Sequence, residues 1–140
     1  MRLSPNGDSQ GVDDSDPASV FVPAAKALSD LGIAFLELRE PGPDGTFGKT
    51  DVPKLSPDIR KVFTGVLVLN SDYTTAADAQ AKLDEGVADA ISFGRTFLAN
   101  PDLPERLRTG APLNKDDMKT WYSQGPEGYI DYPALETVAA

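Results

Sequence analysis

The chain has 140 residues, 40% of them hydrophobic and 25% charged, the size and balance of one globular domain with one core. Its formal net charge of −9 argues against a nucleic-acid or anionic-membrane surface, both of which need basic patches. It has neither cysteine nor histidine, which excludes disulfides, thiolate nucleophiles, cysteine-ligated metals, a histidine general base and the Ser-His-Asp triad. No apolar run reaches the roughly 18 residues of a membrane span, and MRLSPNGDSQ lacks the apolar segment of a signal peptide. A cytoplasmic protein is the expectation.

In chain order, RLSP at 2–5 reads as the stub of a strand and is followed by a polar loop of turn formers. Asp13, Asp14 and Asp16 lie in that loop, but they lack the calcium-loop spacing and its closing glutamate, so no metal site is expected. Asp16 can cap a helix that begins at Pro17, carries Val20, Ala24, Ala27, Leu28 and Leu31 on one apolar face, and stops at Gly32. IAFLEL, 33–38, predicts a strand. A glycine- and proline-rich loop over 39–57 suits a mobile cover and an inert connection equally. A short helix around 58–63 follows. VLVLN, 66–70, is continuously apolar, the pattern of a strand buried on both faces. The next helix starts at a threonine cap, places Ala76, Ala79 and Leu83 on one side, and ends at Gly86. DAISF, 89–93, predicts a last strand and 100–110 a last helix, before a tail with Trp121, Tyr122, Tyr129 and Tyr132.

Strand starts near 2, 33, 66 and 89 suit βα units and a parallel sheet. Four such units are half of a (β/α)8 barrel, whose usual length is about 250 residues. An open flavodoxin-like sheet is the competing architecture, and pattern alone leaves both standing.

Two turns have the chemistry to hold a phosphate. LNSDYTT, 69–75, and FGRTFLANP, 93–101, each run from a strand end into a helix start, where unpaired N–H groups and the helix dipole favour an anion. Gly94 lets backbone approach closely, and Arg95 adds a planar donor suited to phosphate. A lone Gly-Arg pair is more often a solvated surface arginine; two such turns after successive strands weigh the other way.

RLSP, FGRTFLANPDLPERLRTGAPLN and WYSQGPEGYIDYPAL together resemble the C-terminal half of old yellow enzyme family ene-reductases, in the bacterial branch of N-ethylmaleimide and pentaerythritol tetranitrate reductases. The likeness runs from Arg2 to about Leu135. It implies that residues 1–140 form strands five to eight of an α/β TIM barrel. That barrel holds FMN and passes hydride from NADH or NADPH through the flavin to an activated alkene. By position, Arg2 resembles the arginine at the flavin's pyrimidine edge, where a guanidinium would stabilise negative charge. Asn70 and Ser71 match the backbone that cradles the FMN phosphate, although the family usually has smaller residues there. Gly94 and Arg95 match the second phosphate contact. Trp121 and Tyr122 match aromatics near the flavin and the pocket rim, or pack the tail on the barrel.

The family's substrate-orienting His-Asn or His-His pair and its tyrosine proton donor come from around strand four. This chain has no histidine, so it is expected to carry no catalytic residue of its own. An isolated half-barrel would expose two strand edges and half of an apolar interior. It is therefore expected to work with a complementary N-terminal half-barrel chain or a second copy, and the alternative is a non-catalytic fragment or self-associating scaffold.

Overall fold

The computed structural model describes residues 1–7, 9, 11, 13–46, 48–70 and 73–135. Nine elements follow in order among them: β1 (Arg2–Leu3), α1 (Pro17–Asp30), β2 (Phe35–Arg39), α2 (Ser56–Val62), β3 (Val66–Asn70), α3 (Ala76–Asp84), β4 (Ala90–Ile91), α4 (Arg95–Ala99) and α5 (Leu103–Thr109). They fall into two compact units. One comprises Met1–Tyr73 with Ala77–Ser92; the other comprises Thr74–Ala76 with Phe93–Ala140.

In the first unit four parallel strands lie in the order β1-β2-β3-β4, each beside its neighbour in sequence. A doubly wound sheet reverses its strand order part-way, and this sheet does not. Right-handed connections between successive neighbours bring helices onto one face. That face carries Leu36 and Leu38 of β2 and Leu67 and Leu69 of β3, all buried in one cluster with Ala25, Ile59, Phe63 and Ala88. Phe63 is the largest fully buried side chain, and burying such a ring contributes roughly 1.5–3 kcal/mol. Gly65 makes room for it, since a Cβ there would lie 2.9 Å from the ring's Cζ.

The other face carries Phe35, Glu37, Arg39, Val66, Val68 and Asn70, by the alternation of side chains along a strand. It stays open at Phe35 and Val66, which are 46% and 47% exposed. The continuous apolar run of 66–70 predicts burial on both faces. The structure instead buries alternate residues, because the helices pack on one side only.

α1 begins where the sequence places it: Asp16 accepts a hydrogen bond from the backbone of Ser19, and Gly32 follows the end at φ 66°. Its inward face is displaced from the predicted one. Phe21, Ala25 and Leu28 meet the core, whereas Val20 is 49% and Leu31 76% exposed. The bulk of Phe21, with Ala25 and Leu28 four and seven residues on, selects that stripe.

In the second unit the helix predicted over 100–110 is found as α5, beginning at Leu103, and α4 over Arg95–Ala99 is an element the sequence pattern does not predict. Asn100 ends α4. Its backbone is extended, and its side chain donates to the Thr96 carbonyl and accepts from the backbone of Asn114. α5 ends at Gly110 in the left-handed region, φ 69°. The stretch after it has no regular element up to Leu135 and is held by polar bonds instead. The buried Arg106 donates to Asp102 and to the carbonyls of Pro112 and Pro133, while Asn114 donates to those of Ala99 and Pro133.

Candidate functional site

The open face of the first unit carries one dense polar cluster. β1 and β2 pair in register so that Arg2 stands beside Glu37. Arg2 Nε donates to Glu37 Oε2 at 3.0 Å, and its Nη2 donates to Oε1 at 2.8 Å. Two further donors reach the same Oε1: Asn70 Nδ2 from the end of β3 and Ser92 Oγ just past β4, each at 2.9 Å. Donors from β1, β3 and the residue just past β4 thus converge on one carboxylate of β2. The Arg2 side chain is 55% exposed and that of Glu37 only 13%.

The electrostatics follow from the contacts. The Arg2 hydrogen bonds, helped by Asn70 and Ser92 and opposed by partial burial, pull the Glu37 carboxyl down to about 2. The same pair raises the Arg2 pKa. Glu37 is ionised and accepts; Arg2 is charged and donates.

A second carboxylate lies three residues further along. Glu40, just past β2, is buried, and its Oε1 accepts from the backbone N–H groups of Leu55 and Ser56 at the start of α2. That contact explains why α2 starts at Ser56, earlier than the predicted 58. Burial raises the Glu40 pKa against those hydrogen bonds and the charge of Lys54. Burial, then the charges of Glu40, Glu85 and Asp78, push Tyr73 up to about 12, and Lys54 Nζ stands 5.9 Å above the Tyr73 ring. The loop between β2 and α2 is tied down by Glu40 and by Asn6, whose Nδ2 donates to the carbonyls of Pro41 and Val52.

Of the residues singled out in the sequence, Arg2 and Asn70 are brought together on Glu37. The Asn70 side chain is engaged there, and its carbonyl accepts from Glu40 N. Ser71 lies outside the described residues. In the second unit, Gly94 caps the N-terminus of α4 and Arg95, half-buried, is its first residue. A Cβ on Gly94 would meet nothing within 4 Å. Trp121 is half-buried and Tyr122 is 84% exposed, in the turn that follows Asp117. Glu37, Glu40 and Ser92 are missed by the sequence reading. For Glu37 a signal existed, since it is the single charged residue of IAFLEL.

The sequence profile of the NADH:flavin oxidoreductase / NADH oxidase family, Oxidored_FMN, matches residues 1–114. The chain belongs to this family. Its likeness to the old yellow enzyme homologue from Zymomonas mobilis is 67% identity at a TM-score of 0.92, over 96% of this chain and 38% of that one. Morphinone reductase, solved in complex with tetrahydroNAD, is 39% identical at a TM-score of 0.82, over 97% of this chain and 35% of its own. A 12-oxophytodienoate reductase-like protein of Solanum lycopersicum is 41% identical over 99% of this chain and 36% of its length. The chain therefore spans little more than a third of the old yellow enzyme relatives it matches. Among its described residues no helix is long and apolar enough to cross a membrane.

Proposed function

We propose that these residues form strands five to eight of an FMN-binding (β/α)8 barrel, part of an ene-reductase that uses NADH or NADPH to reduce activated alkenes. The observation that carries the reading is the Arg2 guanidinium, fixed on the open sheet face and still half exposed. In an old yellow enzyme that face is the barrel interior, and the ligand lies at the carboxyl ends of the strands.

FMN, when bound, would relay hydride from the nicotinamide nucleotide to the alkene. The residues present fit such a group. Arg2 offers a fixed positive charge and donors for the acceptor edge of a flavin pyrimidine ring. In the second unit Gly94 leaves backbone accessible, since among the described residues beyond its chain neighbours nothing lies within 4 Å of where a Cβ would be, and Arg95 supplies the charge for the phosphate. The Asn70 side chain is engaged by Glu37, so its share in a phosphate cradle falls to backbone. Trp121 and Tyr122 would border the flavin and the pocket rim.

No histidine is available to orient the alkene, so that role and the proton donor fall to strands outside this sequence. The exposed Phe35 and Val66 favour the same view, because a face with such residues is stabilised when complementary strands close over it. The complement is an N-terminal half-barrel, in the same polypeptide or another, or a second copy.

FMN titration of the complete protein tests the reading. Arg95→Ala should weaken binding by about ten- to a hundredfold, the worth of a charge-assisted hydrogen bond or two. Unchanged affinity would remove the phosphate assignment.

A further inference from the structure

The proposed flavin site has one feature that the family resemblance does not supply, the carboxylate behind the arginine. We infer that Glu37 is a positioning residue: it clamps one edge of the Arg2 guanidinium so that the opposite edge faces the flavin's pyrimidine ring. The inference rests on Arg2 lying at that ring.

The geometry of the guanidinium carries it. Glu37 takes the Nε and Nη2 donors in a bidentate pair at 3.0 and 2.8 Å. Among the described residues Nη1 has no hydrogen-bond partner, so Nη1 and the outer hydrogen of Nη2 form a second fork of two donors. A pyrimidine edge with adjacent nitrogen and carbonyl acceptors matches such a fork. Left alone, an arginine side chain 55% exposed would sample many rotamers and lose that freedom on binding. Glu37 removes that cost beforehand.

Glu37 is itself held. Asn70 and Ser92 donate to Oε1 from the other two strands, and the side chain is only 13% exposed. The clamp is therefore fixed to β3 and to the end of β4 as well as to its own strand, the arrangement that supporting shells use to orient a ligand-binding group. Its charge has a second effect. Glu37 partly offsets the field of Arg2, so the two effects on a bound flavin oppose each other and can be told apart.

The test uses the complete FMN-loaded protein and four variants: Arg2→Ala, Glu37→Ala, Glu37→Gln and the double alanine. FMN affinity and flavin reduction potential are read for each, the potential on the loaded fraction only, so that misfolding registers as lost flavin and not as a shifted potential. Arg2→Ala should weaken binding and lower the potential. Glu37→Ala should weaken binding about tenfold and move the potential in the same direction, because the guanidinium is no longer held. Glu37→Gln, which keeps an acceptor oxygen and little risk to folding, should fall between the wild type and Glu37→Ala. In FMN affinity the double variant should match Arg2→Ala alone, since Glu37 acts through that residue, while its potential should lie at or above that of Arg2→Ala because the Glu37 charge is gone as well.

Additive losses, or a potential that rises in Glu37→Ala, would overturn the inference by showing that Glu37 acts through its own charge. A changed Arg2→Ala with an unchanged Glu37→Ala would overturn it while leaving Arg2 at the flavin. An Arg2→Ala protein with unaltered affinity and potential would overturn the placement of Arg2 itself.

Discussion

Two glutamates three residues apart, both partly or wholly withdrawn from water, respond to the fold in opposite ways. Glu37 meets a guanidinium and two neutral donors, and its pKa falls to about 2. Glu40 meets backbone N–H groups in a deeper setting, and its pKa rises. Burial acts upward on both. A formal positive charge within hydrogen-bond reach reverses the sign for one, and neutral dipoles do not for the other. The first carboxylate is arranged on an open face that can meet a ligand, and the second closes the entry to α2.

The largest effect is expected at Glu40. Glu40→Ala leaves the buried N–H groups of Leu55 and Ser56 without their acceptor and should cost about 3 kcal/mol in urea unfolding. Glu40→Gln retains an oxygen and should recover most of that loss. Equal losses for both variants would mean that charge, not the capping oxygen, matters there. Glu37→Ala should cost less, about 1–2 kcal/mol, because the half-exposed Arg2 can turn to water.

The pH dependence has opposite signs at the two sites. Glu37 has a folded pKa below its ordinary value of 4.5. Its contribution is full above that value and disappears as pH falls through about 2. Glu40 has a raised folded pKa, so its contribution is full below the ordinary value and disappears as pH rises through the folded one. Unfolding curves taken from neutral pH downward should therefore have a shallower acid-side fall in Glu37→Gln, with the remainder left to carboxylates such as Asp89 and Asp102, whose pKa values are also lowered. In Glu40→Gln they should lose the opposing gain. A Glu37→Gln protein with an unchanged acid limb would contradict the assignment of the low pKa to the Arg2 pair.

Much of the sheet was legible because its signals are local. VLVLN at 66–70 is a strand in the structure to the residue, and Asp16, Pro17 and Gly32 mark the ends of α1 as capping chemistry requires. The face of α1 was harder. Val20 and Leu31 are as apolar as the residues that pack, and only the position of Phe21 against the sheet decides between the stripes. α4 was hidden because it is only five residues long and Asn100, which ends it, works through Asn114, fourteen residues on. Of the candidate site, Arg2, Gly94 and Arg95 could be picked out from strand-end and turn chemistry together with the family likeness. Glu37 could not be paired with Arg2 from sequence, since the pairing depends on the register of two strands 35 residues apart. Ser92 and Asn70 join it for the same reason.

The most direct measurement is the visible spectrum of the barrel-sized particle containing this chain, recorded after incubation with FMN and passage down a sizing column that also gives its mass. The account predicts a flavin band co-eluting with protein of complete-barrel mass, weakened in Arg95→Ala. A particle of that mass that elutes colourless would contradict the claim that these residues hold a flavin.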